Sequence, residues 1–316
     1  MPAGAVDGYV TVTTGSTTLT STKTFTVHNS WSRGAPIPTV VVGPAVGFVN
    51  NKVYAASGCN SSGVIGVNQV YTPATNTWTT AAAIPTPVCS PASAVVNSIL
   101  YVFGGYLDLT SHTITNAVQA YNAKTNTWSS KSPMPTPRGS AGAAVEGGMI
   151  YVIGGYDSGT GQRLNNVEKY NPLTDTWTEE APLLNGKSEP SIGLIGTTIV
   201  AADGDTSSGD TGDNEGYSAS TNSWKSLASD PTARNEAFSG SVGTLFYVAG
   251  GINNNYPPLN LTESFNLTAN KWTVLAPMPQ ATTIAGSVVA NGLLYCIGGN
   301  ETNGGNGINN VQIYQP

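Results

Sequence analysis

The sequence predicts an all-β fold, a six-bladed β-propeller whose blades are four-stranded antiparallel sheets. Its six tryptophans follow one another at intervals of 47, 50, 49, 47 and 48 residues. They are Trp31, Trp78, Trp128, Trp177, Trp224 and Trp272. Charged residues make up only 9% of the chain, which contains 37 glycines and 20 prolines, a composition typical of short strands and tight turns. A repeat of about 50 residues without helical periodicity indicates one propeller blade.

Each repeat carries the signals of four short strands. After a proline-containing turn and an apolar stretch comes a strand that ends in a glycine pair, as in IYVIGG at 150–155. A polar loop separates it from a strand with one aromatic residue, as in KYNP, and the tryptophan strand follows. These segments have strand composition and are bounded by turn residues. We expect the aromatic residue and the tryptophan of each blade to pack together in the core.

The two ends of the chain are predicted to share one blade. The last repeat ends at residues 314–316 without a tryptophan strand, whereas Trp31 precedes the first complete repeat. Residues 29–32 should therefore form the outer strand of the sixth blade, which would remove an open sheet edge. Deletion of residues 1–35 should then lower stability sharply.

The recurring glycine pair, tyrosine and tryptophan resemble the kelch repeat, whose period is about 50 residues. The resemblance covers roughly residues 28–316. It implies a propeller in which the loops before the first strand and after the second strand of each blade open on one face. Ligands and active sites of such propellers usually lie on that face, around the central channel.

Residues 1–27 do not follow the repeat and are predicted to form a β-hairpin extension. Valine and threonine alternate there around a Gly-Ser turn, as expected for two paired strands. The segments PAG, VTVTT and FTV resemble the end of an IPT/TIG immunoglobulin-like domain. The resemblance implies either a piece of a multidomain surface protein or a native extension. Open strand edges in residues 8–27 would allow self-association.

Charge and cysteine content restrict the partners and the compartment. The net charge is −6, the pI is about 4.8, and no Lys/Arg cluster occurs, which argues against nucleic acid and anionic membrane as partners. No apolar run is long enough to insert into a membrane. The Thr/Asn-rich, charge-poor composition predicts an extracellular or cell-surface protein. Cys59 and Cys89 should lie on one face in adjacent blades, where a disulfide and two free thiols both remain open.

Charged residues at equivalent positions of three successive blades form the first candidate site. They are Arg138, Lys187, Glu189, Arg234 and Glu236. Converging at the channel mouth, they would bind the carboxylate of a ligand or a sugar. The alternative is that Arg138, Glu189, Arg234 and Glu236 pair with one another and seal the channel, because buried charges need partners.

An acidic loop in the fourth repeat is the second candidate site. Asp203, Asp205, Asp210 and Asp213 are spaced as in a calcium loop rich in oxygen ligands, although Ser208 departs from the EF-hand pattern. A solvated polar loop is the alternative interpretation. Calcium is the only cofactor that the sequence suggests.

The sequence favours a non-catalytic extracellular or cell-surface module that binds protein or glycan. No nucleophile with a base, carboxylate dyad or Cys/His cluster can be assembled from the motifs, so no catalytic residue is assigned. One alternative is a sugar-modifying enzyme that resembles the sialic-acid mutarotases. In that enzyme Arg138 or Arg234 would hold a carboxylate, and Glu189 or Glu236 would act as acid or base. The other alternative is a structural subunit that assembles through its N-terminal hairpin.

Overall fold

Six four-stranded antiparallel sheets form the propeller in the computed structural model, which describes residues 8–25, 28–254, 257–302 and 305–316. This confirms the predicted fold class. Within blades 1 to 5 the strands are hydrogen-bonded in chain order, from the first strand at the channel to the fourth at the rim. Blade 1 consists of Ala45–Val49, Lys52–Ala56, Asn68–Thr72 and Thr77–Thr80, and blade 2 of Ala92–Val96, Ile99–Phe103, Val118–Asn122 and Thr127–Lys131. Blade 3 consists of Gly142–Glu146, Met149–Ile153, Val167–Asn171 and Thr176–Glu180, and blade 4 of Ser191–Ile195, Thr198–Ala202, Asn214–Ser218 and Ser223–Leu227. Blade 5 consists of Phe238–Val242, Leu245–Ala249, Thr262–Asn266 and Lys271–Val274.

The sixth blade combines both ends of the chain. Its first three strands are Gly286–Ala290, Leu293–Ile297 and Val311–Gln315, and its fourth is Ser30–Arg33. Trp31 lies opposite Tyr314 in this pairing. The first strand of blade 6 also packs against the first strand of blade 1, as every other blade does with its neighbour. The blades therefore form a closed ring.

The predicted aromatic pairs are present in all six blades, with ring centroids 5.0–5.2 Å apart. Each pair also contacts the preceding blade. In blade 1 the indole of Trp78 donates to the carbonyl of Ala35, and Asn76 Oδ1 accepts from the amide of Ala35 and from Tyr71 Oη. Asn76 adopts a φ of 53°, which asparagine tolerates better than most residues. The Asn-x-Trp sequence thus connects adjacent blades as well as strands.

In the described part of the chain, the six largest apolar clusters form the core, and each one joins two adjacent blades. Because neighbouring sheets pack face to face, the position of each blade around the channel is fixed by its two neighbours. Among the residues that the structure describes, no helix is long and apolar enough to cross a membrane.

The N-terminal hairpin pairs Gly8–Thr14 with Thr17–Phe25 around the turn at Gly15 and Ser16. It forms a two-stranded sheet of its own. Val12 and Leu19 face each other across the strands and are 58% and 70% exposed. The IPT/TIG resemblance stays a prediction, since residues 1–7 and 26–27, which include part of the motif, lie outside the described residues.

Candidate functional site on the channel face

Six residues with left-handed backbone surround the mouth of the channel, each two positions before the first strand of its blade. Their φ angles lie between 49° and 55°. Five backbone hydrogen bonds of 2.7–3.1 Å link them in sequence around the channel. They are Gly43, Ser90, Ser140, Glu189, Glu236 and Ile284. Because the backbone ring forms with such different side chains, these positions can vary in chemistry without loss of the fold.

The three cations of the predicted ligand set are buried and do not reach the channel surface. The side chains of Arg138, Lys187 and Arg234 are fully buried, and each pairs with a glutamate on the third strand of its own blade. Arg138 Nη2 lies 2.7 Å from Glu168 Oε1, and Lys187 Nζ lies 3.1 Å from Glu215 Oε1. Paired in this way, they are not placed to contact a ligand in the channel, and their role as ligand-binding residues stays a prediction of the sequence. The alternative in which Arg138 and Arg234 pair with Glu189 and Glu236 is wrong, since their partners include Glu168 and Glu263 instead.

The other three blades use neutral residues at the same two positions. Val41, Val88 and Thr282 replace the cations, and Gln69, Gln119 and Gln312 replace the glutamates. The Gln119 amide bonds both backbone groups of Thr86, with distances of 2.9 and 2.8 Å. Each blade therefore carries either a cation with glutamate or a neutral residue with glutamine. The sequence contained this signal, since the Glu or Gln stands two residues before the third-strand aromatic in every repeat.

A cavity of about 700 Å³ opens above the backbone ring. Loops of blades 1, 2, 3, 4 and 6 contribute its walls, which carry two tyrosine rings and a small number of polar groups. The lining includes the side chains of Asn60, Tyr106, Tyr156, Arg163, Glu189 and Asn300. The ring of Tyr106 lies so close to Gly139 that a Cβ there would be 2.5 Å from it, so this wall requires glycine. Arg163 is held by Asp205, 2.6 Å away, and lies over the ring of Tyr156.

Glu189 and Glu236 are the members of the predicted ligand set that do reach the channel. Both line a chamber of about 120 Å³ inside the backbone ring, and Glu189 also lines the large cavity above it. Ser140 Oγ donates to Glu189 over 3.1 Å, and Thr283 Oγ1 donates to Glu236. Burial, followed by the charge of Glu236, raises the pKa of Glu189 to about 8. Burial raises the pKa of Glu236 to about 7, and the charges of Asp210 and Asp205 add to this.

The carboxylates of the acidic loop have separate partners. Asp205 pairs with Arg163, Asp210 accepts from Asn235, and Asp213 accepts from Asn185. Asp203 is fully buried next to Asp230. Within the described ranges, no three acidic, histidine or cysteine side chains are placed to hold a metal ion. Calcium binding here stays a prediction of the sequence, and the geometry does not support it.

Asp203 occupies the position that the first glycine of the pair has in other blades. We expect its substitution to stabilise the protein by an amount that depends on pH. Four blades have glycine there, and at Gly154 an added Cβ would lie 2.5 Å from a backbone oxygen. Asp203 has a φ of 60°, and burial, followed by the charge of Asp230, raises its pKa well above the usual value. When the pKa of a carboxyl group is higher in the folded protein than in the unfolded one, the group destabilises the fold as the pH rises. The free energy of unfolding then falls between the pKa of the unfolded state and that of the folded state.

We therefore expect Asp203→Gly to raise the free energy of unfolding by about 1 kcal/mol at pH 8 and by less at pH 5. Urea unfolding at the two pH values measures this. Asp203→Asn removes the charge but keeps the Cβ, and should show a smaller gain with the same pH trend. A loss of stability in Asp203→Gly at pH 8 would contradict this explanation.

Cys59 and Cys89 form a disulfide between blades 1 and 2, with their Cα atoms 5.3 Å apart. Of the two options that the sequence left open, the structure shows the bridge. Both residues lie in the cavity wall, so the disulfide fixes the loops of two blades that contribute to the cavity. Cys296 is a free, buried cysteine in the second strand of blade 6.

The fold and the cavity define a propeller whose channel face carries a preformed pocket. The profile of the KLHDC2/KLHL20/DRC7 Kelch-repeats domain matches residues 43–205, slightly more than half of the chain, and the Kelch motif matches residues 233–279. The chain therefore belongs to the kelch-repeat family, as the sequence resemblance predicted. A search of curated proteins found no match. Among solved structures, "Structure of YjhT" is similar in fold, with a TM-score of 0.77 and 20% identity over 88% of this chain and 96% of that one.

Proposed function

We propose that this protein is a non-catalytic, extracellular or cell-surface module that binds a protein or glycan ligand in the channel-face cavity. The observation that carries the proposal is the cavity of about 700 Å³ itself. Concave sites with aromatic walls and a few placed polar groups are the usual ligand sites of folded proteins. The fold of the repeat does not require the residues that line the cavity, since the equivalent positions in other blades carry different side chains.

The side chains of the lining suit a polar ligand with hydroxyl or amide groups. Tyr106 and Tyr156 supply aromatic surface, and Asn60 and Asn300 supply amide groups on the side of blades 1 and 6. Glu189 and Arg163 add one acceptor and one donor group. Asn60, Tyr156 and Arg163 belong to short paired strands, which lowers the cost of ordering these groups on binding.

Filling the cavity should abolish binding. We expect the wild-type protein to bind members of a combined glycan and peptide array, and Asn60→Trp to lose that binding by at least about tenfold, because the indole would occupy the ligand volume. Leu173→Trp is the matched control, since Leu173 is 83% exposed in the turn between the third and fourth strands of blade 3. This turn lies on the opposite face. Equal binding by wild type and Asn60→Trp would refute the proposal.

The extracellular or cell-surface location is supported by two properties of the chain. Disulfides between loops persist mainly in oxidising compartments, and Cys59 is bridged to Cys89. The second property is the low content of charged residues, 9%. Alkylation of the protein from its native source, followed by intact mass measurement, tests this: labelling of both cysteines without prior reduction would argue against it.

An enzymatic role is favoured by one observation, the pair of carboxyl groups at the channel mouth. Glu189 and Glu236 have pKa values raised to about 8 and about 7, and groups near neutrality can donate and accept protons at working pH. The buried Arg138 and Arg234 are not available to hold a substrate carboxylate. A sugar-modifying reaction would therefore use the two glutamates with other binding groups, and Glu236→Gln should then abolish sugar turnover.

Self-assembly is favoured by the exposed hairpin. A two-stranded hairpin is marginally stable alone, and Tyr9, Val12 and Leu19 are all at least 58% exposed. Light scattering of the full chain and of a variant lacking residues 1–27 tests this role: loss of large particles on truncation would support it, and a monomer in both cases would oppose it.

A further inference from the structure

We propose that the cavity binds an amino sugar whose protonated amine lies at the cavity base, beside Glu189 and Glu236. This rests on the proposed function, because it specifies the ligand of the same cavity. The ligand class follows from the charges and hydrogen-bonding groups at the base, which accept hydrogen bonds and lack cationic partners.

The cations near the site are already paired elsewhere. Arg138, Lys187 and Arg234 are buried against the third-strand glutamates of their own blades. Arg163 lies in the cavity wall, but both its Nε and its Nη2 donate to Asp205. The contacts recorded for Glu189 and Glu236 in the described chain are hydroxyl groups, not cations. Within the described ranges, these two carboxyl groups therefore have no positive charge that balances them.

A buried amide in the lining of the same cavity points to a ligand that donates hydrogen bonds. Asn300 lines the cavity and is 4% exposed, and its Oδ1 has no hydrogen-bond partner within the part of the chain that the structure describes. Asn300 exchanges backbone hydrogen bonds with Thr283, whose side chain donates to Glu236. A primary ammonium carries three donors and no acceptor. It can therefore satisfy a carboxylate and an amide oxygen at the same time.

The remainder of the cavity favours a sugar over an alkyl amine. Tyr106 Oη lies 3.4 Å from Ser140 Oγ, which places the ring of Tyr106 above the hydroxyl that bonds Glu189. Asn60 and Ser188 add polar groups higher on the walls. Hydroxyl groups of a sugar ring would meet these side chains, whereas the methylene chain of a lysine would leave them without partners.

The carboxyl groups also predict how binding changes with pH. Because the pKa of Glu189 is about 8 and that of Glu236 about 7, Glu189 is already more than half protonated at pH 7.5, and acidification below pH 7 protonates Glu236 as well and removes the remaining charge that holds the amine. Affinity should therefore fall between pH 7.5 and pH 5.5. The other charged or titratable side chains that line the site or act on these two carboxyl groups are Tyr106, His112, Tyr156, Arg163, Asp205 and Asp210. His112→Gln should leave the pH trend in place.

Isothermal titration calorimetry with three matched trisaccharides tests the inference. The probes are the β-1,4-linked glucosamine trisaccharide, its N-acetylated form and the corresponding glucose trisaccharide. We expect the amine to bind at least about tenfold more tightly at pH 7.5 than either of the others, since hydrogen bonds to charged groups are worth more than neutral ones. Glu189→Gln and Glu236→Gln should remove this preference while melting at the wild-type temperature or above.

Glu179→Gln is the matched control, because Glu179 is an exposed carboxylate on the outer strand of blade 3; it should bind like wild type. Equal affinity for the three sugars would overturn the inference, as would tighter binding of Nα-acetyl-lysinamide than of the amino sugar. If none of these probes binds, the inference is also overturned. The array experiment with Asn60→Trp would still decide the proposed function separately.

Discussion

Trp31→Ala is expected to lower the free energy of unfolding by about 3–5 kcal/mol, the usual cost of removing a large buried aromatic side chain. Trp31 is 3% exposed and packs against Tyr314. Its indole donates to the carbonyl of Ala276, in the segment that leads from blade 5 to blade 6. The substitution thus weakens both the sixth blade and its contact with the fifth, at the place where the two chain ends meet.

Urea unfolding of Trp31→Ala beside Trp128→Ala measures the strength of this closure. Trp128 makes the equivalent ring contact and the equivalent indole hydrogen bond in blade 2, where all four strands are continuous in sequence. Similar losses of unfolding free energy in the two variants would mean that the N-terminal strand stabilises its blade as much as a strand that is continuous in sequence with its blade. Deletion of residues 1–35 should destabilise still further, whereas deletion of residues 1–25 should not. A Trp31→Ala protein as stable as wild type would contradict the closure.

Glu168→Gln is expected to cost about 3–5 kcal/mol, because it leaves the guanidinium of Arg138 buried without its counter-charge. Arg138→Val should cost a similar amount, since Glu168 would then be buried alone. The double substitution should recover most of the loss. It recreates in blade 3 the pair that blade 2 already uses, Val88 with Gln119. The new glutamine would find the backbone of Thr136 at the place where Gln119 bonds Thr86.

A double-mutant cycle followed by urea unfolding provides the measurement. The interpretation predicts a large coupling energy and a double variant within about 1 kcal/mol of wild type. Lys169, on the same third strand, pairs with Glu180 while partly exposed. Lys169→Met therefore serves as a control and should cost less than about 1 kcal/mol. A double variant as unstable as the single ones would show that blade 3 depends on its charges in a way that blade 2 does not.

The sequence was sufficient to predict the fold because each blade repeats the same local requirements. The tryptophan intervals set the blade length, and the glycine pairs mark the strand ends beside the channel. At Gly250, for example, the φ is 68° and an added Cβ would meet the carbonyl oxygen of Thr282. Requirements of this kind depend on nearby backbone and therefore recur in most repeats, with glycine at this position in four of the six blades. They are visible without knowledge of the tertiary structure.

The site was harder to predict because residues close together in one loop have side chains in different environments. Lys187 and Glu189 are two positions apart, but Lys187 is buried in its blade whereas Glu189 lines the cavity. Charge alone does not distinguish these environments. The residues that could have done so are Glu168, Glu215 and Glu263, whose presence only in blades with a cation indicates an internal pair. Tyr106 and Tyr156 each follow directly after the glycine pair of their blade, but that position holds a cysteine, an aspartate, an isoleucine or an asparagine in the other repeats, so its residue type did not mark a site. Arg163 lies in a loop whose sequence differs from repeat to repeat.

A crystal structure with the tightest-binding ligand from the array tests most directly whether the channel-face cavity is the functional site. The account predicts ligand density inside the cavity, within hydrogen-bond distance of Glu189 and in contact with Tyr106. The predicted contacts need no rearrangement of the blades, since the cavity is open to solvent and Glu189 and Tyr106 already line it. A ligand bound at the blade rims or on the opposite face, with the cavity left empty, would contradict it.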